Sequence, residues 1–416
     1  MTSWIPLIAL IIVFILIILR KVGSFKVKIW QAMALGALLV LLTGQISPVD
    51  ALYSVNIDVM LFLFGMFVVG ESMQRSGYLN SLSYRLFRRA KSVNHLILLI
   101  LFPIGLLSAI LMNDTLAIIG TPVVLSISRK QNISSKLLLM TLAIAVTTGS
   151  VLSPIGNPQN LLIANSEPLT NPFISFLQYL LIPSLICLAL AFIVLKIFFR
   201  KEFYKQIEPN NNDESNSDHQ LIILSKTALA ILVILILVKI NLALFWPVLE
   251  LQLALIAIIA AVPIIVISRQ RIQILKNIDW STLLFFVSMF ILMSSVWQSG
   301  VFQELIVNLT LDVTSIPVIL VLGTLLSQLI SNVPLVALYL PLLTVSGASI
   351  PQLMALAAGS TIAGNMLILG AASNVIIIQN AEKQGATLTF FEFAKVGIPL
   401  IILQMMVYLL FLGFMF

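Results

Sequence analysis

Charge is what this sequence has least of: Asp, Glu, Lys and Arg make up 9% of 416 residues, against roughly 25% in an ordinary soluble domain. A water-soluble surface cannot be made from that. Cysteine occurs once, at Cys187, which excludes an intramolecular disulfide and any cysteine-based metal cluster. Histidine occurs twice, His95 at the edge of an apolar run and His219 in a polar linker, so neither is placed for chemistry. There is no paired-histidine metal motif and no Gly-x-Ser-x-Gly elbow. A membrane enzyme, the rival from another class, therefore has nothing to stand on, and the chain is expected not to be an enzyme.

What is present is apolar. The residues AVILMFWYC make up 60% of the chain, and runs long enough to cross a hydrocarbon core of about 30 Å recur from Trp4 to Phe416. The expected setting is a lipid bilayer, as a multi-pass protein of the cell inner (plasma) membrane. The first run, Trp4 to Leu19, has no basic region before it and no small-residue cleavage site after it. It reads as a retained helix rather than a secretory signal.

The net charge of +7 is spread over short loops, which is a topology signal and excludes a nucleic-acid partner. Basic residues cluster at Arg20 to Lys28, Arg75 to Lys91, Arg129 to Lys136, Lys196 to Lys226, Arg269 to Lys276 and Lys383 to Lys395, together 22 of the 23. The connections Gly44 to Ile57, Asn165 to Gln178, Ser299 to Pro317 and Ser346 to Gln352 hold none, and the positive-inside rule makes these external. The remaining basic residue, Lys239, lies near a helix end and is expected to snorkel. Basic loops flank Leu96 to Ile127 on both sides, so that segment must enter and leave on the cytoplasmic face. It reads as a re-entrant hairpin with a polar tip at Asn113, Asp114 and Thr115. Ile316 to Val345 does the same from outside, with its tip at Ser331, Asn332, Val333 and Pro334.

The two halves share a plan. Asn56-Ile57-Asp58 recurs 221 residues later as Asn277-Ile278-Asp279, Asn113 pairs with Asn332 and Pro122 with Pro341 at 219, and Gly156 pairs with Gly370 and Asn160 with Asn374 at 214. A basic loop follows Ser76-Gly77 but an uncharged one follows Ser299-Gly300, so the copies are inverted. The expected fold is an all-α polytopic membrane protein of two inverted repeats, with about ten crossing segments and two re-entrant hairpins. The first repeat is residues 1–207, with a hairpin at 94–128 and a broken helix at 137–165. A hydrophilic cytoplasmic linker, 208–220, leads to the second repeat, 221–416, with a hairpin at 316–346 and a broken helix at 352–380. Both termini are then external. Inverted repeats with broken helices are the mark of alternating-access transporters, whose site lies at the repeat interface.

Four polar constellations carry the chemistry: Asn113-Asp114-Thr115; Gly156-Asn157-Pro158-Gln159-Asn160; Ser331-Asn332; and Gly370-Ala371-Ala372-Ser373-Asn374. Each is a break in helix, where freed backbone groups need partners in a medium without water. Taken singly, each amide or hydroxyl would serve as glue between helices; four repeat-related clusters at breaks point to a substrate or ion site. Half-helix N-termini can hold an anion without Arg or Lys, and carbonyls with Asn and Ser oxygens can hold Na⁺. Bound Na⁺ is expected near Asn113, Asp114, Asn157, Asn332 and Asn374, and no other cofactor. Asn160 and Asn374 are expected to be equivalent by pseudosymmetry. Asp114 has Val333 as its counterpart, so the halves are unlike in charge. An aspartate near the bilayer centre costs about 2.5–3.5 kcal/mol on insertion scales, which calls for solvation, a bound cation or protonation during part of a cycle. The plain alternative is that Asp114 caps the returning hairpin helix.

With those tips and breaks in hand, the chain resembles the ion transporter superfamily over nearly its full length, closest to its arsenite permease and sodium/proton antiporter branch. Asn113 to Thr115 followed by Thr121-Pro122, Gly156 to Asn160, Ser331 to Pro334, and Gly370 to Asn374 running into Ala381 to Gly385 carry the resemblance. The related divalent-anion/sodium symporters carry Ser-Asn-Thr at both tips, where tips and breaks coordinate sodium and substrate carboxylate; this sequence departs from that at both. The resemblance implies a secondary active permease for a small inorganic anion, oxyanion or arsenite, coupled to Na⁺ or H⁺ by alternating access. A Na⁺/H⁺ antiporter and a dicarboxylate/sodium symporter are the alternatives, and a homodimer is an open expectation.

Overall fold

The computed structural model describes residues 3–19, 21, 22, 25–78, 90–166, 169–205, 207, 219–245, 251–301, 303, 304 and 312–414. Most of the linker 208–220, and Arg20, Arg85, Arg88 and Arg89 of the basic loops, lie outside them.

The first half runs α1 (Ile5–Leu19), α2 (Ile29–Leu42), the short α3 (Pro48–Ser54), α4 (Ile57–Arg75), α5 (Val93–Leu99), α6 (Gly105–Leu111), α7 (Asn113–Gln131), α8 (Ser135–Ser150), α9 (Pro158–Ala164) and α10 (Pro172–Phe198). The second runs α11 (His219–Phe245), α12 (Leu253–Ile267), α13 (Arg271–Asn277), α14 (Trp280–Gln298), α15 (Ile316–Ile330), α16 (Asn332–Val345), α17 (Ile350–Ile362), α18 (Ala372–Glu382) and α19 (Phe390–Phe414). Two-residue strands at Lys21–Val22 and Phe25–Lys26 form one small ladder. Among the described residues, six helices are long and apolar enough to cross a membrane.

The repeated landmarks act as helix stops and starts. Asn56 accepts from the Val59 N–H at 3.0 Å to cap α4, and Asp279 accepts from Thr282 N–H at 3.0 Å to cap α14. Each cap satisfies one of the orphan donors at a helix N-terminus. Asn157, with Pro158 after it, caps α9. Between α5 and α6 the helix widens to a π turn, Ile100–Ile104, around Pro103, which cannot donate to the ladder.

The helices divide into two bodies. In the frame, α4 packs along α12 and α2 along α14, so each half's helices lie against the other half's, with α1 and α11 on the flanks. In the carrier body, hairpin α5–α7 packs on α8 and α18, hairpin α15–α16 packs on α17 and α9, and α10 pairs with α19. Small residues allow the tightest approach: a Cβ on Gly149 of α8 would stand 2.0 Å from the Gly105 carbonyl oxygen. Side-chain hydrogen bonds tie each body internally. Ser72 bonds Ser225 at 2.8 Å and Arg75 bonds Gln270 at 2.8 Å in the frame; Ser108 donates to the Val146 carbonyl at 2.6 Å and Ser184 bonds Tyr408 at 2.6 Å in the carrier. Lys136 pairs with Glu392, and Arg129 donates to the Gln384 carbonyl at 2.9 Å. Every hydrogen bond and ion pair that described residues of different helices make with one another stays inside one body.

One single-residue expectation changes, and a second residue is placed. Lys239 does not snorkel: it is 8% exposed and its Nζ donates to the Leu251 carbonyl at 2.6 Å, where the chain between α11 and α12 brings an acceptor within reach. Cys187 is fully buried against α19, so its role is packing.

Candidate functional site: two hairpin tips on two crossed helix breaks

The hairpin tips share an unusual backbone. Met112 has φ 66° and Ser331 has φ 70°, 219 residues apart, both with extended ψ. Residues other than glycine rarely hold this conformation, at a cost of about 1–3 kcal/mol, and such strain persists only where the surroundings fix it. At the first tip the Asn113 N–H donates to the Gly156 carbonyl at 2.9 Å, docking the hairpin on the first helix break. Asp114 follows in the first turn of α7, partly exposed and without a hydrogen-bond partner among the described residues. It does not cap the helix: Met112 occupies that position. The charged side chain whose field reaches Asp114 is Asp279, at the N-cap of α14 in the frame. Thr115 faces the frame as well, with its Oγ1 3.1 Å from where a Cβ on Gly70 of α4 would stand.

The first break is saturated with hydrogen bonds. Gly156 turns so tightly over Ser150 that a Cβ there would lie 2.3 Å from the Ser150 carbonyl oxygen. Asn157 accepts from the Asn160 N–H at 2.8 Å and donates to Ser150 Oγ at 3.0 Å and Thr361 Oγ1 at 3.2 Å. Asn160 donates to the carbonyls of Ser150 and Ser153 and accepts from Thr361 Oγ1 at 3.2 Å. Of the residues read as Na⁺ neighbours, Asn157 thus has its side chain committed to protein partners.

The second break is not. Buried side-chain atoms without partners among the described residues cluster there: Asn332 Oδ1 at the second tip, Ser327 Oγ and Gln328 Oε1 on α15, and Ser373 Oγ and Asn374 Oδ1 on α18. Gln328 Nε2 donates to the Ala363 carbonyl at 2.7 Å and Asn374 Nδ2 to the Gly364 carbonyl at 2.5 Å, which assigns both amides: the open atoms are acceptors. Gln328 Oε1 lies over Gly370, 2.6 Å from where its Cβ would stand. Asn160 and Asn374, expected to be equivalent, therefore differ: one is closed by hydrogen bonds, the other carries an open oxygen. Most buried polar groups in native proteins are paired, so a run of open acceptors marks a place for a ligand.

Threonines cross-link the two breaks. Thr361, on α17 of the second repeat, holds Asn157, Gln159 and Asn160 of the first. Thr148, on α8 of the first, receives Asn365 Nδ2 at 2.9 Å and Gln404 Nε2 at 3.2 Å from the second. Thr147, Thr361, Asn365, Gln328 and Gln404 belong to no motif in the sequence because they stand in or beside unbroken helix. One signal was available: Thr147 and Thr361 are 214 apart, the offset of Asn160 and Asn374. Among the described residues no group of three or more His, Cys, Asp or Glu could hold a metal, so the oxygens within reach of a cation here are neutral ones apart from the single carboxylate of Asp114.

A model of the CitMHS citrate transporter family matches residues 14–352, spanning both hairpins and the first break. The chain belongs to the CitMHS family. Among its relatives are a 46 kDa membrane protein of Mycobacterium leprae, 26% identical over 92% of this chain and 93% of that one, and the silicon efflux transporter LSI3 of Oryza sativa subsp. japonica, 26% identical over 88% of each. The P protein of Mus musculus is 22% identical over 94% of this chain and 58% of its own length. The solved structure of the Alcanivorax borkumensis YdaH transporter, described as having an unusual topology, aligns over 99% of this chain with a TM-score of 0.59 at 16% identity, which shows a shared fold. This CitMHS member is a membrane transporter of helical, inverted-repeat architecture.

Proposed function

We propose that this CitMHS protein is a secondary active transporter of a small oxyacid or oxyanion, coupled to Na⁺ or H⁺, in which the carrier body moves against the frame in alternating access. The observation that carries the reading is the meeting of two hairpin tips with two crossed helix breaks inside one body, joined to the other by packing alone among the described residues. Tips that carry Asn113 Oδ1 and Asn332 Oδ1, with Gln328 Oε1 beside the second, offer acceptors. Acceptors suit a solute rich in hydroxyl donors, or a cation, better than a bare tricarboxylate. Asp114, with no Lys or Arg partner among the described residues, disfavours a polyanion at the first tip and supplies the carboxylate on which H⁺ and Na⁺ would compete. The fit is to silicic acid or arsenite, the first being in keeping with the silicon efflux relative.

The setting that the distribution of basic loops supports is a plasma membrane with both termini external. The test is flux into proteoliposomes of silicic acid, arsenite and citrate under imposed gradients. Transport of an oxyacid supports the reading; transport of citrate alone overturns the solute class.

A further inference from the structure

The second hairpin stands off from its helix break, and the first does not. Against α8 the first hairpin lies so close that a Cβ on Gly149 would meet the Gly105 carbonyl oxygen at 2.0 Å, and Ser108 donates to the Val146 carbonyl at 2.6 Å. At the offsets of 219 for the hairpins and 214 for the breaks, Thr324 corresponds to Gly105, Ala363 to Gly149 and Ser327 to Ser108. Ala363 carries the methyl group for which Gly149 has no room, so the backbones cannot come as near there. The close approach shifts away from the tip, to Gly359, where a Cβ would stand 3.0 Å from the Leu320 carbonyl oxygen. Gln328 spans the opening this leaves: its Nε2 donates to the Ala363 carbonyl at 2.7 Å, whereas its counterpart in the first hairpin is Ala109, which has nothing to reach with. Open acceptors divide the same way. Ser327 Oγ, Gln328 Oε1, Asn332 Oδ1, Ser373 Oγ and Asn374 Oδ1 are buried without partners among the described residues. Ser108, Gln159 and Asn160, which correspond to Ser327, Ser373 and Asn374, are all hydrogen-bonded in the first half.

We propose that Gln328 is a specificity-determining residue for the solute: it holds the second hairpin off its break at the width of a small hydroxylated molecule and offers Oε1 to that molecule's O–H groups. Its Nε2 is committed to Ala363, so what the residue presents is an acceptor. Gly370, bare of a side chain, leaves room for Oε1 between hairpin and break, since a Cβ there would lie 2.6 Å from it. A solute hydroxyl pairs this buried oxygen. An anion sets lone pairs against it and leaves both unsatisfied, which is the stronger form of discrimination a polar pocket has. Selection of a protonated oxyacid over an anion therefore comes from the second hairpin and not equally from both. The inference rests on the oxyacid reading of the solute and adds the residue that enforces it.

The test is binding without transport: silicic acid, arsenite and citrate are titrated onto the purified full chain in lipid nanodiscs, in Na⁺ buffer, with the thermal midpoint as readout. Gln328→Met keeps the length of the side chain and removes the acceptor. It is expected to raise the half-saturating concentration of the oxyacid that stabilises wild type about tenfold, the effect of one lost hydrogen bond, and to leave any response to citrate where it was. A strut alone would lower the midpoint of the unliganded protein and leave half-saturation unchanged. Thr324→Gly combined with Ala363→Gly copies the glycines of the first hairpin into the second. With the spacing methyl gone, the hairpin is expected to settle on its break and the oxyacid response to be lost, and this pair decides the matter if Gln328→Met does not fold. Wild-type half-saturation in Gln328→Met, or an undiminished response in the glycine pair, overturns the inference and leaves the oxyacid reading standing. A wild type that neither oxyacid stabilises refutes that reading, and the inference with it.

Discussion

Replacing Thr361 by valine removes one hydroxyl and almost no volume, so its effect isolates hydrogen bonding at the crossing of the two broken helices. Thr361 is 1% exposed, and its Oγ1 is the partner of Asn160 Oδ1 at 3.2 Å and of Gln159 Nε2 at 3.3 Å. Both groups are left buried and unpaired by the substitution, while Asn157 Nδ2 keeps Ser150 Oγ. Each orphaned group costs about 1–3 kcal/mol, which puts Thr361→Val at about 2–6 kcal/mol destabilising. Thr147→Val, the same change at the corresponding position, removes a hydroxyl with no partner among the described residues and, without Na⁺, stays within about 0.5 kcal/mol of wild type. Denaturant unfolding of both variants in detergent micelles, in choline buffer, reads the difference directly. Equal destabilisation of the pair would refute the claim that the first break is closed and the second open.

Asp114→Asn is expected to keep the fold and lose the Na⁺ or pH dependence of transport; flux with unchanged dependence would leave Asp114 without a coupling role. A larger side chain at Gly70, as in Gly70→Leu, should wedge the frame against Thr115 and stop transport while the protein still inserts and stays folded, and normal flux would show that this contact is not on the path of the moving body. Cysteines at Gln45 and Ser346 should react with an impermeant thiol reagent from outside and one at Ser92 should not, against a silent background because Cys187 is buried; labelling of Ser346 from the cytoplasm alone would end the inverted-hairpin topology.

Fold class was legible in the sequence because its signals are coarse and additive. Charge asymmetry across loops survives any single misplacement and carries the inversion, while ordered landmarks at offsets of 221, 219 and 214 carry the repeat. The positive φ at Met112 and Ser331 obeys the same 219 offset, yet neither residue type announces it. Hydrogen-bond commitment was not legible. Asn160 and Asn374 are identical residues at equivalent positions, and what separates them is a threonine from the opposite repeat, brought in by tertiary packing. Lys239 shows the same limit: its partner is a carbonyl of the next connection, which hydropathy does not register.

On the proposed mechanism, flux is driven by a cation gradient through a body that alternates between faces. Proteoliposomes loaded with an oxyacid, with inward Na⁺ and H⁺ gradients imposed separately and then collapsed by ionophore, test it most directly. Flux that follows one of those gradients and stops when it is dissipated is the predicted result. Flux that runs down the solute gradient at a rate indifferent to both cations would contradict it, and would make the chain a channel or a facilitator.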